Sequence, residues 1–166
     1  MERIPPFDTQ HLTSLAKILA DTDNGLTGAQ LAALLRDSKI PDVTPEVTKW
    51  KRLFNALVDL QNKRQFGNHV VVFIKRAMSP VQYTTNPHTF ARRRDQLNAV
   101  LSFSGISLGE DGQVRWSAHA SNLDEALARA TRLHSSLVSR AVHEDVLKFC
   151  RAELVQETTS TLSSRR

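Results

Sequence analysis

The chain has 166 residues, 40% of them hydrophobic, and a formal net charge of +5. That length suits one domain, or a compact domain with an appendage, with enough apolar sequence for a real core. A single cysteine, Cys150, excludes an internal disulfide framework, the six histidines show no Cys/His zinc spacing, and no apolar run approaches a membrane span.

The charge is unevenly spread. Residues 1–45 hold four basic and six acidic side chains (−2), residues 46–96 ten and three (+7), and residues 97–166 eight of each (0). The excess therefore lies in the middle third, which points to an anionic partner or to solvated helix faces.

Taken in chain order, Asp8 is a good N-cap, and Leu12, Leu15, Ile18 and Leu19 recur at helical spacing, predicting a helix over about 8–21. Asn24-Gly25 is a turn signal. Thr27 with Gln30 forms a capping box ahead of Leu31, Leu34 and Leu35, and that helix ends near Ser38, before Pro41. Thr44-Pro45 predicts the next helix start. In the third helix, projection at 100° per residue groups Trp50, Leu53, Phe54, Leu57, Val58 and Leu60 on one broad side. Lys51, Arg52, Asn55, Asp59, Asn62 and Lys63 fall opposite, as on an ordinary solvated face.

The run HVVVFIKRAM fits a strand by its valines and a helix by the spacing of Val70, Phe73, Ile74 and Ala77. Helix is preferred, with Asn68 as cap and Ser79-Pro80 as stop. Asn86-Pro87 opens a further helix to about Phe103, with Phe90, Leu97, Val100 and Leu101 inward and Arg92, Arg93 and Arg94 near its start. Ile106 and Leu108, then Val114 and Trp116, alternate around Asp111-Gly112 and predict a small hairpin. Ser121 caps a helix containing Leu123, Leu127, Ala130, Leu133, Leu137 and Val138. A last helix begins near His143 with an apolar stripe of Val146, Leu147, Cys150 and Leu154. Residues 158–166 are polar and are expected to be disordered.

The expected fold is therefore mainly α, a compact multi-helix domain of about six helices with one small β-hairpin. Its expected parts are a helical region over 1–104 with a basic middle third, a hairpin and two helices over 105–157, and the tail.

No glycine-rich phosphate loop, nucleophile elbow or HExxH pattern occurs, so no cofactor or metal is expected. Adjacent carboxylates such as Glu110-Asp111, Asp124-Glu125 and Glu144-Asp145 point apart and suit solvation better than acid–base chemistry. Arg64–His69 and Arg129–His134 match the arginine–histidine spacing of helical ribonucleases, but chance alone supplies about 1.6 such pairs in this composition. The first three helices also suit a helix-turn-helix module, although the Ser38–Thr44 connection is long for one. Trp50 and Phe54, which could stack on bases, share the apolar side of the third helix with Leu53 and Leu57 and belong to a core. Candidate nucleic-acid contacts are thus a field rather than a motif: Lys49, Lys51, Arg52, Lys63, Arg64, Lys75, Arg76, Arg92, Arg93 and Arg94.

The stretches IPPFD, GLTGAQLAALL, TKWKRLFNALVDLQN, NHVVVFIKRAMSPVQYT, LNAVLSFSGISLGEDGQVR and VHEDVLKFCRAEL, in that order over residues 3 to about 157, resemble a bacterial family of Ymh-like proteins found among phage and abortive-infection genes. The resemblance implies a phage-defence setting and a carboxy-terminal HEPN-like helical domain that begins at VHEDVLKFCRAEL. It stops after Glu157, so the nuclease centre implied for that domain is expected to be missing, and no catalytic residue is carried over. The resulting expectation is a cytoplasmic, non-catalytic binding or regulatory domain that recognises nucleic acid. The alternatives are self-association or a protein partner through the Val146, Leu147, Cys150 and Leu154 stripe, and a ribonuclease using Arg129 and His134.

Overall fold

The computed structural model describes residues 2–131. Five helices are fully contained in this range: α1 (Thr9–Leu19), α2 (Gly28–Asp37), α3 (Lys49–Arg64), α4 (Asn68–Ala77) and α5 (Pro87–Leu101). A sixth, α6, is helical from 123 to the last described residue. One antiparallel hairpin, β1 (Ile106–Leu108) with β2 (Val114–Trp116), completes a mainly α fold.

Local chemistry sets most boundaries. Asp8 accepts from the His11 N–H at 2.8 Å and starts α1. Thr27 and Gln30 form the reciprocal capping box of α2, with bonds of 3.2 and 2.9 Å. That helix ends in a Schellman motif: Lys39 takes φ 56°, its N–H reaches Arg36 O at 3.0 Å, and Ile40 N–H reaches Leu35 O at 2.9 Å. Pro41 follows, where no helix can continue.

Three predicted starts differ. The expected start of α3 at Thr44-Pro45 is instead a turn closed by Val47 N–H on Thr44 O, and α3 begins at Lys49, where Arg52 N–H first bonds Thr48 O at 2.9 Å. The Thr44 hydroxyl accepts from Asn55 Nδ2 at 3.0 Å. Gly67, rather than Asn68, holds the N-cap position of α4. A Cβ there would lie 2.7 Å from the Phe7 ring and 2.8 Å from Pro5 O, so only glycine lets the amino-terminal segment pass this close. At α6 the capping oxygen is Asn122 Oδ1, which accepts from Glu125 N–H at 2.9 Å, while Ser121 N–H is bonded by the Glu125 carboxylate.

α1 packs against α3 and α5, α2 against α3 and α4, and α5 against β1. Leu12, Leu15, Leu19, Leu31, Leu35, Leu53, Leu57, Phe73, Ile74, Met78, Leu97 and Leu101 are the largest fully buried side chains. The helical reading of HVVVFIKRAM holds because Val70, Phe73, Ile74 and Ala77 all enter this core. In the hairpin Ile106 pairs with Trp116 and Leu108 with Val114. Ile106 and Leu108 are buried, whereas Trp116 is 55% exposed at the open end. In α6 Leu123 and Leu127 are exposed, while Ala126 and Ala130 are buried.

Extended segments are tied in by side-chain amides. Gln61 accepts from Phe7 N–H at 3.0 Å and donates to Phe7 O at 2.7 Å. Asn68 accepts from Ile4 N–H and donates to Glu2 O, both at 2.9 Å. Asn98 accepts from Leu108 N–H at 2.6 Å and donates to Leu108 O at 3.0 Å.

Candidate anion-binding site

The ten basic residues of the middle third have separate fates. Lys49 donates to Thr22 O at 3.1 Å and Leu26 O at 2.9 Å, tying α3 to the α1–α2 connection. Arg52 chelates the Asp42 carboxylate, with Nε 3.0 and 3.1 Å from its two oxygens, and that hydrogen bond raises the guanidinium pKa. Lys63 bonds Asp59 one turn back at 2.7 Å. Arg94 is 3% exposed and pairs with Asp95 at 3.0 Å and Glu110 at 3.4 Å. Lys51, Arg64, Arg76 and Arg92 are exposed and Lys75 is half-buried, and among the described residues none of them forms an ion pair.

Arg93 and Arg94 therefore do not belong to an open basic surface. Positions 93, 94, 97, 98 and 101 form the inward stripe of α5, and the two guanidinium groups go in with Leu97 and Leu101.

Arg93 is 6% exposed, yet its partners are neutral: it donates to the Tyr83 hydroxyl at 2.6 Å and to Asn24 O at 2.5 Å. The Tyr83 ring lies 5.5 Å from its guanidinium carbon. Tyr83 is held in turn by donating to Ala77 O at 2.9 Å, at the end of a short 3-10 helix, Pro80–Tyr83.

Two clefts flank this arginine. One, of about 290 Å³, lies between α1 and α5 and is lined by Lys17, Ile18, Asp21, Asn24, Arg92, Arg93 and Gln96. The other, of about 210 Å³, is bordered by Gln30, Gln82, Tyr83, Asn86 and Thr89 and shares Asn24 and Arg93 with the first. Asp21 accepts from the N–H groups of Asp23 (3.1 Å) and Asn24 (2.8 Å), and these bonds, that from Asn24 foremost, hold its pKa below the ordinary value. The larger cleft thus sets three cations against one fixed carboxylate. The sequence pattern points to Arg92 and Arg93 but not to Lys17, Asp21, Asn24, Tyr83 or Gln96. Asn24 carries only a turn signal, and nothing local marks the others as neighbours.

The arginine–histidine pairs separate from this site. His69 is 3% exposed and its Nε2–H donates to Leu57 O at 3.0 Å. Burial, and to a smaller extent the Arg64 charge, lower its pKa against the opposing pull of the Leu57 carbonyl. The ring is enclosed in the core, whereas Arg64 is exposed. Arg129 is bonded to Glu125 and Ala118 O. His134 and the Val146, Leu147, Cys150 and Leu154 stripe lie outside the described residues. Trp50 and Phe54 pack against the core, with Lys17 and Lys51 over the Trp50 ring at 5.1 and 5.7 Å.

Among the described residues no three His, Cys, Asp or Glu side chains are grouped to hold a metal ion, and no helix is long and apolar enough to cross a membrane. No protein-family model, curated protein or solved structure matches the chain.

Proposed function

We propose that this chain is a non-catalytic binding domain that engages nucleic acid through the exposed cations of α3, α4 and α5. The observation that carries the reading is the unpaired state, among the described residues, of Lys51, Arg64, Lys75, Arg76 and Arg92. Cations without a carboxylate partner can exchange their counterions for phosphates, whereas Arg52, Lys63 and Arg94 would first have to give up a partner. The proposed regulatory place in a phage-defence-type protein draws on the sequence resemblance of residues 3 to about 157 to the Ymh-like family, and the proposed cytoplasmic setting on the single cysteine.

Fluorescence anisotropy on labelled duplex DNA, single-stranded DNA and RNA across a salt series tests the reading. Affinity should fall steeply with salt. Neutralising Lys51, Arg64, Arg76 and Arg92 together should flatten the log–log slope by about one unit for each phosphate that the variant no longer engages. Absence of binding at low salt, or a slope unchanged in the quadruple variant, would refute it.

A further inference from the structure

A guanidinium taken out of water needs compensation, and a carboxylate is its usual source. Arg93 lacks one among the described residues. Of the five N–H groups of an arginine, one goes to Tyr83 and one to Asn24, both neutral acceptors, and the Tyr83 ring beside the guanidinium is neutral as well. Arg94, the next residue, has two carboxylates within ion-pair distance, so the lack is specific to Arg93 and not a general property of this part of α5.

The cleft beside Arg93 gathers further cations. Lys17 and Arg92 reach the same cleft from α1 and α5, and neither has a carboxylate partner among the described residues. With Asp21 ionised and its Oδ1 committed to the Asp23 and Asn24 N–H groups, the lining carries three positive charges and one negative. The surplus of two matches a dianion. Arginine favours phosphate through paired N–H donors, and a phosphate monoester carries close to two charges at neutral pH. Gln96 and the Asn24 amide add neutral donors and acceptors suited to hydroxyl groups. At about 290 Å³ the cleft is at the small end of ligand sites, with room for a phosphate and a sugar-sized group.

We propose that the cleft between α1 and α5 is a phosphate-monoester site, with Arg93 as its fixed floor and Lys17 and Arg92 as the cations that close on the phosphate. The proposal shares Arg92 with the surface reading above but differs from it: it concerns a single phosphate in a cleft, not a phosphate backbone spread over helix faces. The monoester can belong to a free sugar phosphate or to the 5′ end of an oligonucleotide.

Isothermal titration of the full chain separates these sources. Ribose 5-phosphate is compared with ribose, and a short 5′-phosphorylated oligonucleotide with its 5′-hydroxyl counterpart. Binding should be saturable for at least one phosphorylated probe, and at least about tenfold weaker for its dephosphorylated partner. Preference for ribose 5-phosphate assigns a free metabolite, and preference confined to the oligonucleotide assigns a terminal phosphate. Lys17→Ala and Arg92→Ala, both at exposed positions, should each weaken the phosphorylated probe by about tenfold. Binding of the 5′-hydroxyl oligonucleotide, which reports the open surface, should keep Lys17 out of its footprint and be unchanged in Lys17→Ala. Equal affinity for phosphorylated and dephosphorylated probes, or unchanged phosphate affinity in both variants, would overturn the assignment.

Discussion

Asn98 gives an N–H to Leu108 O and takes the Leu108 N–H, so one amide on α5 satisfies both backbone groups of a strand residue that has no second strand on that side. Leucine at 98 would keep the branching and heavy-atom count, at a larger volume, and leave both buried groups unpaired. Each such group costs about 1–3 kcal/mol. Asn98→Leu should therefore lose about 3 kcal/mol in urea unfolding, well beyond what an apolar substitution of that size costs at the surface. His69 makes a second prediction at this scale. Its folded pKa lies below the 6.5 of an unperturbed imidazole, so below that pH the unfolded chain takes up the proton more readily than the folded one. Stability should fall as pH drops from about 6.5 toward the lower folded pKa. Urea midpoints measured at pH 7.5 and pH 5.5 should differ more for the wild type than for His69→Gln, which has no proton to gain.

Among the elements, what sequence makes legible is what local chemistry decides. Asp8, Thr27 with Gln30, and Asn86 ahead of Pro87 each cap the helix that spacing assigns them. The expected alternation around Asp111-Gly112 is a real hairpin, in register at Leu108–Val114. Tertiary competition decides the rest. Thr44 and Asn68 both have capping chemistry, but Asn55 engages one and the backbone of residues 2–4 engages the other. Arg93 and Arg94 share a helical stripe with Leu97 and Leu101, which spacing alone could show, yet charged residues default to solvent unless a partner is known. Their partners Tyr83, Asn24 and Glu110 come from other segments of the chain. The hairpin turn supports a third prediction. Gly112 has φ 71°, and a Cβ there would stand 2.6 Å from Met78 O. Gly112→Ala combines left-handed strain, about 1–2 kcal/mol, with a backbone clash, and should lower the melting temperature while leaving far-UV helicity intact.

Across the molecule, residues 2–130 fall in one compact unit, and its main core holds side chains from α1 to α5 and β1, with Val114 of β2 packed against it. Ile4 and Phe7 lie in that interior although residues 2–8 form neither helix nor strand. Charge is arranged on the same scale. The middle third carries +7, and the ion pairs there consume Arg52, Lys63 and Arg94 while Lys51, Arg64 and Arg76 stay exposed. Total charge is therefore a poor guide to available charge, and the cleft beside Arg93 is invisible to it.

The amide clasps at Gln61 and Asn68 bear on motion as well as on stability. An irregular segment ordinarily exchanges its amide protons with solvent in local openings that cost little. Here the Ile4 and Phe7 protons are each donated to a side-chain oxygen on a core helix, 64 and 54 residues away in sequence. Release of either requires the segment to lift off α3 and α4 and expose the buried Ile4 and Phe7 side chains. In hydrogen–deuterium exchange the deuterium uptake of these two positions should follow that of Leu57 and Ile74 in the core, and Gln61→Ala should uncouple Phe7 from them. A stretch with no regular structure would then report the cooperative opening of the whole core.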